Sequence, residues 1–414
     1  MTKRDVASPE SCGRAPARPP LGAWRGGALA FAAISVLFAA PHFAAAEDVA
    51  PPTIETKARE ALLVDGETGT ILLQKNPDKP FPPASLAKMM TMEVVFEAID
   101  SGQLARDTEF PISVHAWRTG GAPSGTSTMF ADVKSSVSVE NLVRGAIIDS
   151  ANDACIALAE GMAGSDEAFA ETMNRRAEEL GLTGSHFVNP TGLPAEGQHV
   201  TARDLVTLAR HIRTEHPELY KVYAEPDFKW NNIFQRNRNP LLKIDVGADG
   251  METGYTEASG YALLGVTDRG GRVTYLAMSG LATAKERSEE ARRLLDWSND
   301  SFELRPLFAE GAVVGAADVF GGETGSVPLV APKAIAALLP RDADERVSAA
   351  IRYDGPLAAP VAAGANVAHL DIMVDGARVL SEPLAAARSV GNGSFSDRAM
   401  GAVSELAFGW LRQF

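Results

Sequence analysis

A hydroxyl and an amine stand one helical turn apart in the run Phe81-Pro82-Pro83-Ala84-Ser85-Leu86-Ala87-Lys88-Met89-Met90-Thr91. Residues three apart on a helix share a face, so Ser85 and Lys88 can meet. A serine hydroxyl becomes a competent nucleophile when a neighbouring base takes its proton. A lysine amine is such a base only where burial or nearby cations strip its charge. The sequence offers that burial: no breaker follows the two prolines until Gly102, and Leu86, Met89, Met90, Val94 and Ile99 give helical apolar spacing from close to Ser85. A helix N-terminus also disfavours a cation. Taken alone, Ser-x-x-Lys more often marks a solvated helix face, so its meaning rests on the rest of the chain.

Two later segments bear on it. Ser150-Ala151-Asn152 interrupts a helical period running over 139–161, where a hydroxyl and an amide can hydrogen-bond a catalytic amine and a substrate amide together. Asp249-Gly250-Met251-Glu252-Thr253-Gly254-Tyr255-Thr256 directly precedes an apolar strand, and its glycine would let a substrate backbone approach the sheet edge. A plain turn is the alternative for this segment taken alone. The order Ser-x-x-Lys, Ser-x-Asn, x-Thr-Gly resembles the penicillin-binding and class A β-lactamase superfamily. More narrowly, it is similar to the low-molecular-mass penicillin-binding proteins, the serine-type D-alanyl-D-alanine carboxypeptidases. The likeness also takes in residues 147–154, 199–204, 237–242 and 249–261, and so covers essentially the whole chain beyond residue 46.

That resemblance implies an α/β (α+β) catalytic domain, an antiparallel sheet flanked by helices, followed by a small β-rich domain. It implies Ser85 as the acylated nucleophile, Lys88 as proton acceptor and Ser150 as a relay to the leaving group. Substrate would be held by Asn152, Glu252, Thr253, Gly254 and Tyr255. The backbone N–H groups of Ser85 and Tyr255 would form the oxyanion hole, where one donor contributes roughly 3–4 kcal/mol in other systems. The implied substrate is a peptidoglycan stem peptide ending in D-Ala-D-Ala, with β-lactams as inhibitors.

One position departs from the family pattern. The family carries lysine before Thr-Gly, and this chain has Glu252. Two like charges about 4 Å apart repel by roughly 1 kcal/mol in water and about 4 at an effective dielectric of 20. A glutamate would therefore repel the substrate's carboxylate and tend to keep Lys88 protonated. Either Glu252 points away, or another cation (Lys243 or Arg118) substitutes. A non-catalytic, peptidoglycan-binding scaffold is the alternative function. A β-lactamase is a weaker one, because no deacylation carboxylate of that class is evident.

The remaining sequence sets compartment and architecture. Net charge −14 and pI near 5.1 argue against a nucleic-acid partner. Lys3, Arg4, Arg14, Arg18 and Arg25 precede an apolar run over 26–40, and Ala44-Ala45-Ala46 supplies small residues for cleavage. Residues 1–46 therefore read as a secretory signal rather than an uncleaved anchor, with export to the periplasm. Cleavage would leave net charge −17 and Cys155 as the lone thiol, in an apolar run that reads as core.

Expected domains are 47–302 (catalytic), 303–392 (β-rich) and 393–414. In the last, Met400, Val403, Leu406, Ala407, Trp410, Leu411 and Phe414 share one face of an amphipathic helix. It would attach the protein peripherally to the inner-membrane surface, docking on the protein's own surface being the alternative. No metal or cofactor is expected. His211 and His216, five apart on a predicted helix, would not share a face. His199 would order its loop.

Overall fold

The computed structural model describes residues 53–395. The leader expected over 1–46 and the amphipathic helix expected over 396–414 lie outside the described residues.

The strands β1 (Glu60–Asp65) and β2 (Ile71–Lys75) pair as an antiparallel hairpin, its loop closed by Asp65 accepting from the N–H and hydroxyl of Thr68 at 2.9 and 2.8 Å. The chain then passes through a 3-10 turn, Ala84–Ala87, into α1 (Lys88–Asp100). Residues 88–96 are all buried, Lys88, Thr91 and Glu93 among them, so the first turns of α1 run through the core.

A mostly helical excursion follows. It comprises β3 (Glu109–Pro111), α2 (Val114–Thr119), β4 (Ser136–Ser138), α3 (Val139–Ile148), α4 (Asn152–Ala163) and α5 (Asp166–Glu179). After α6 (Ala202–Glu215) and the single turn α7 (Pro217–Tyr220), it ends in the hairpin of β5 (Asp227–Trp230) and β6 (Ile233–Arg236). Local chemistry sets several bounds. The Thr201 hydroxyl accepts from the Asp204 N–H at 3.1 Å to start α6, and Gly181, at φ 72°, follows the end of α5.

The strands β7 (Ala248–Thr256), β8 (Gly260–Arg269) and β9 (Arg272–Leu281) complete a five-stranded antiparallel sheet in the order β2-β1-β9-β8-β7, and α8 (Ala284–Ser301) covers its far face. Successive side chains take opposite faces. Leu62, Leu264 and Ala277 belong to the core containing α1, whereas Leu63, Leu263, Leu276 and Met278 pack with Ala291, Leu294 and Leu295 of α8.

From Phe302 the chain is all β. The strand β10 (Phe302–Phe308) leads to β11 (Val313–Phe320), β12 (Ser326–Val330) and β13 (Ile335–Pro340). Then come β14 (Val347–Arg352), β15 (Leu357–Ala358), β16 (Asn366–Val374) and β17 (Ala377–Ala386). Six of these form a sheet in the order β14-β16-β17-β12-β11-β15, and β10 pairs with β13. Leu329, Ile335, Leu339, Leu370, Ile372 and Leu384 share one core. The expected architecture, helices on an antiparallel sheet with a β-rich part after it, is the one observed.

Candidate active site

The nucleophile turn is built by close backbone contacts. Phe81 N–H donates to Val200 O at 2.9 Å, the prolines carry the chain inward, and Ala84 turns it at φ 48°. The turn carrying Ser85 is 3-10, and the α-helix starts at Lys88. Gly192 backs onto this turn at φ 79°, where a Cβ would lie 1.7 Å from Ala84 O. Asn189 fixes the Gly192 loop: its Oδ1 accepts from Thr191 N–H, Thr191 Oγ1 and Gly192 N–H at 3.2, 2.9 and 2.8 Å.

Ser85 is partly open to solvent and Lys88 is 2% exposed. Lys88 Nζ lies 2.8 Å from Ser85 Oγ and donates to Thr191 O at 2.9 Å. Burial pulls the Lys88 amine below its ordinary pKa. Cys155 and Glu252 oppose that shift and Arg238 assists it. Glu252 does favour the charged amine, as its sign requires, yet desolvation is the larger effect.

The second segment sits where α3 stops and α4 begins. Ser150 adopts φ 54° there, and its Oγ is buried without a hydrogen-bond partner. Asn152 donates through Nδ2 to Thr126 Oγ1 at 2.9 Å, while its buried Oδ1 is unpartnered. Asp153 holds the facing loop, accepting from Thr128 Oγ1, Met129 N–H and Ala131 N–H at 2.7, 3.0 and 3.1 Å. Asp149, buried with neither oxygen paired, has its pKa raised to about 7 by desolvation, against the pull of Arg238. Cys155 is fully buried and its thiol is pushed up to about 12 by desolvation, as a packed core cysteine should be.

On β7, Gly254 allows the strand to press on the nucleophile turn, since a Cβ would stand 3.1 Å from both Ala84 Cβ and Pro83 O. Tyr255 is 53% exposed and stacks against Tyr261, with ring centroids 4.3 Å apart. Glu252 is 3% exposed and turns inward, so the alternative in which it points away is corrected. Its Oε1 accepts from Thr253 N–H at 2.8 Å. Burial raises its pKa to about 7, against the pull of Lys88, the Thr253 N–H, Arg238 and the Ser150 hydroxyl. The substitute cations expected from sequence are corrected too. Lys243 and Arg118 are exposed and do not line the cleft; Arg238 does.

Ser85, Thr126, Asn152, Arg238 and Tyr255 line a cleft of about 340 Å³, with Lys88, Ser150 and Glu252 buried behind them. Sequence reasoning assigned no role to Thr126, Thr191 or Arg238. The Asn189-Pro190-Thr191-Gly192 turn was a usable signal, but Arg238 carried none beyond its place in 237–242. Expectation also erred on His211 and His216. His216 lies past the end of α6 at φ −117°, ψ 50°, which swings its ring to 5.9 Å from that of His211. Both meet buried Glu93, whose Oε1 already pairs with Arg176 at 2.9 Å. His199 does order its loop, with Nδ1 2.7 Å from Gly197 O.

Comparison with known proteins decides the family. Residues 45–279 match the family model for D-alanyl-D-alanine carboxypeptidase, and residues 302–392 match that for the penicillin-binding protein 5 C-terminal domain. The chain belongs to the D-alanyl-D-alanine carboxypeptidase family. It is 37% identical to the D-alanyl-D-alanine carboxypeptidase DacD of Escherichia coli, over 86% of this chain and 92% of that one. The crystal structure of penicillin-binding protein 5 from Haemophilus influenzae superposes with TM-score 0.73 at 35% identity, covering 83% of this chain and 100% of that one. Penicillin-binding protein D2 of Listeria monocytogenes, solved with ampicillin bound, matches at 29% identity and TM-score 0.51, over 59% of this chain and 98% of that one. The D-alanyl-D-alanine carboxypeptidase expectation holds for family, fold and enzyme class, serine-type hydrolases. The scaffold alternative draws no support from these relatives.

Proposed function

We propose that Ser85 attacks the penultimate carbonyl of a peptidoglycan stem peptide ending in D-Ala-D-Ala. The carrying observation is the Lys88 amine, buried, shifted toward its neutral form and 2.8 Å from the hydroxyl it would deprotonate. The Ser85 proton passes to Lys88, the C–N bond breaks, and Ser150 protonates the departing D-alanine amine. Lys88 passes its acquired proton back to Ser150, and water then hydrolyses the ester with the restored Lys88 amine as base, releasing the shortened peptide.

Backbone N–H groups of Ser85 and Tyr255 would stabilise the oxyanion. Asn152, with its carboxamide oxygen free, and the edge of β7 at 253–255 would hold the peptide. Thr253 and Arg238 would receive the terminal carboxylate, an anion well matched to a guanidinium fork. A second cleft of about 740 Å³ shares Gly192, Pro194 and Tyr255 with the first and adds Pro82, Pro83 and Ala195. It supports accommodation of the stem upstream of the scissile bond.

Incubation with a fluorescent penicillin followed by mass spectrometry tests the reading. A single adduct on Ser85 and release of D-alanine from a D-Ala-D-Ala peptide are expected; absence of both rejects it. We further propose domains 47–302 and 303–392, export after cleavage near residue 46, and peripheral inner-membrane attachment through 393–414. Loss of vesicle co-flotation on deleting 393–414 checks the last point.

A further inference from the structure

We infer that Glu252 works in this site as a carboxylic acid, donating its proton to Ser150 Oγ in the place where the family pattern has a lysine. The inference rests on the proposed function above and concerns a residue particular to this chain. Ser150 Oγ is buried and makes no hydrogen bond in this structure, Glu252 is buried and turned inward on β7, and the Ser150 hydroxyl is among the groups that act on the Glu252 carboxyl. An ionised Glu252 could only accept from that hydroxyl, turning the Ser150 proton away from the leaving nitrogen. A protonated Glu252 donates to it, and the Ser150 proton is then free to reach the departing amine. Charge points the same way. The substrate brings a carboxylate to the cleft, where Arg238 is the one cationic lining residue among those described. A neutral Glu252 leaves Arg238 unopposed, and an ionised one repels the incoming anion.

Proton movements balance. During acylation the Ser85 proton goes to Lys88, the Ser150 proton goes to the leaving amine, and Glu252 replaces the proton on Ser150. Lys88 is then cationic and Glu252 anionic. Return of a proton from Lys88 through Ser150 to Glu252 neutralises both and restores the base before water attacks the ester. The charge reversal at position 252 thus becomes a proton store.

Several groups surround this carboxyl. Lys88 on α1 and Arg238 on the loop after β6 favour its ionised form. Tyr223, on the 3-10 turn Lys221–Ala224, and Cys155 on α4 are held neutral partly by it, and Arg287 on α8 feels its charge. Burial outweighs these and keeps the acid form populated up to about pH 7. Asp149 titrates in the same range and is the competing source of any pH effect.

The test is D-alanine release by the full chain from a D-Ala-D-Ala tripeptide, between about pH 5 and 9, with Ser85 acylation by penicillin read in parallel. Wild-type kcat/KM is expected to fall about tenfold per pH unit above the Glu252 ionisation. Glu252→Gln should abolish this falling limb and lower kcat at least about tenfold, because an amide donates a hydrogen bond but surrenders no proton. Glu252→Lys should move the limb upward, and Asp149→Asn should leave it in place. A limb that persists in Glu252→Gln, vanishes in Asp149→Asn, or is replaced by a wild-type rate rising through neutrality overturns the inference while Ser85 acylation stands. If neither wild type nor Glu252→Lys acylates or releases D-alanine at any pH, the proposed function fails and the inference with it.

Discussion

The two halves of the described chain bury different things. Around the cleft the interior holds Lys88, Asp149, Asp153 and Glu252, whereas beyond Phe302 the core is aliphatic and Asp371 is the one buried polar residue among those described. Asp371 is itself satisfied, accepting from Ser381 Oγ at 2.6 Å and pairing with Arg352 at 3.1 Å. Burying an ionisable group costs several kcal/mol unless it is paired or neutralised. The first half carries that cost where it tunes an amine and two carboxyls, and leaves Ser150 Oγ and Asn152 Oδ1 without partners. The β-rich half has no such groups to position, and its interior follows packing alone. Buried polar atoms without partners recur elsewhere in the first half, at Trp230 and Arg272 for example, but three neighbouring residues, Asp149, Ser150 and Asn152, carry them together.

The contrast can be broken by substitution. Lys88→Met should reduce D-alanine release by about 10⁴-fold or more while thermal unfolding stays near or above wild type, because a buried polar amine is exchanged for an apolar chain of similar length. A large loss of melting temperature would show that the amine is structural. Leu384→Ala, at a fully buried position of β17, should cost about 2–5 kcal/mol in denaturant unfolding and leave kcat/KM unchanged. A matching loss of turnover would mean that the halves are energetically coupled.

Gly192→Ala is expected to cost on the order of 1–3 kcal/mol and to lower kcat, since the added methyl collides with Ala84 O beside the nucleophile. Unchanged kcat would show that the loop does not set the Ser85 geometry. The smallest effect is at His216. Burial lowers its pKa, but the carboxylates of Glu93 and Asp100 beside the ring more than compensate and leave it raised above 6.5. Its stabilisation is therefore complete below that value and lost as pH rises through the folded-state pKa. Melting temperature measured from acid to mildly alkaline pH should fall by a few degrees, and His216→Phe should flatten the slope. A slope unchanged in the variant would assign the effect elsewhere.

What could be read from sequence was local. The Ser85 and Lys88 pairing follows from helical spacing, the Thr201 cap from one hydroxyl before an apolar period, and the break at Ser150 from a lapse in that period. The missed features depend on distant chain segments. Arg238 reaches the cleft by a loop after a hairpin, and Thr191 contributes a main-chain oxygen that no side-chain pattern announces. His216 was misjudged because helical spacing was carried one residue past the helix end. The inward aim of Glu252 follows from its pairing opposite Leu264 on β8, a register that only the assembled sheet supplies.

Lys88 leans on the carbonyl of Thr191, and every amino acid has a carbonyl. Mutational drift at position 191 therefore cannot delete this anchor of the amine, whereas a single codon change at 252 inverts the sign of the neighbouring strand. Divergence within such a site is channelled toward β7, which makes that strand the place where pH preference and inhibitor sensitivity can evolve while the nucleophile's own activation is left intact.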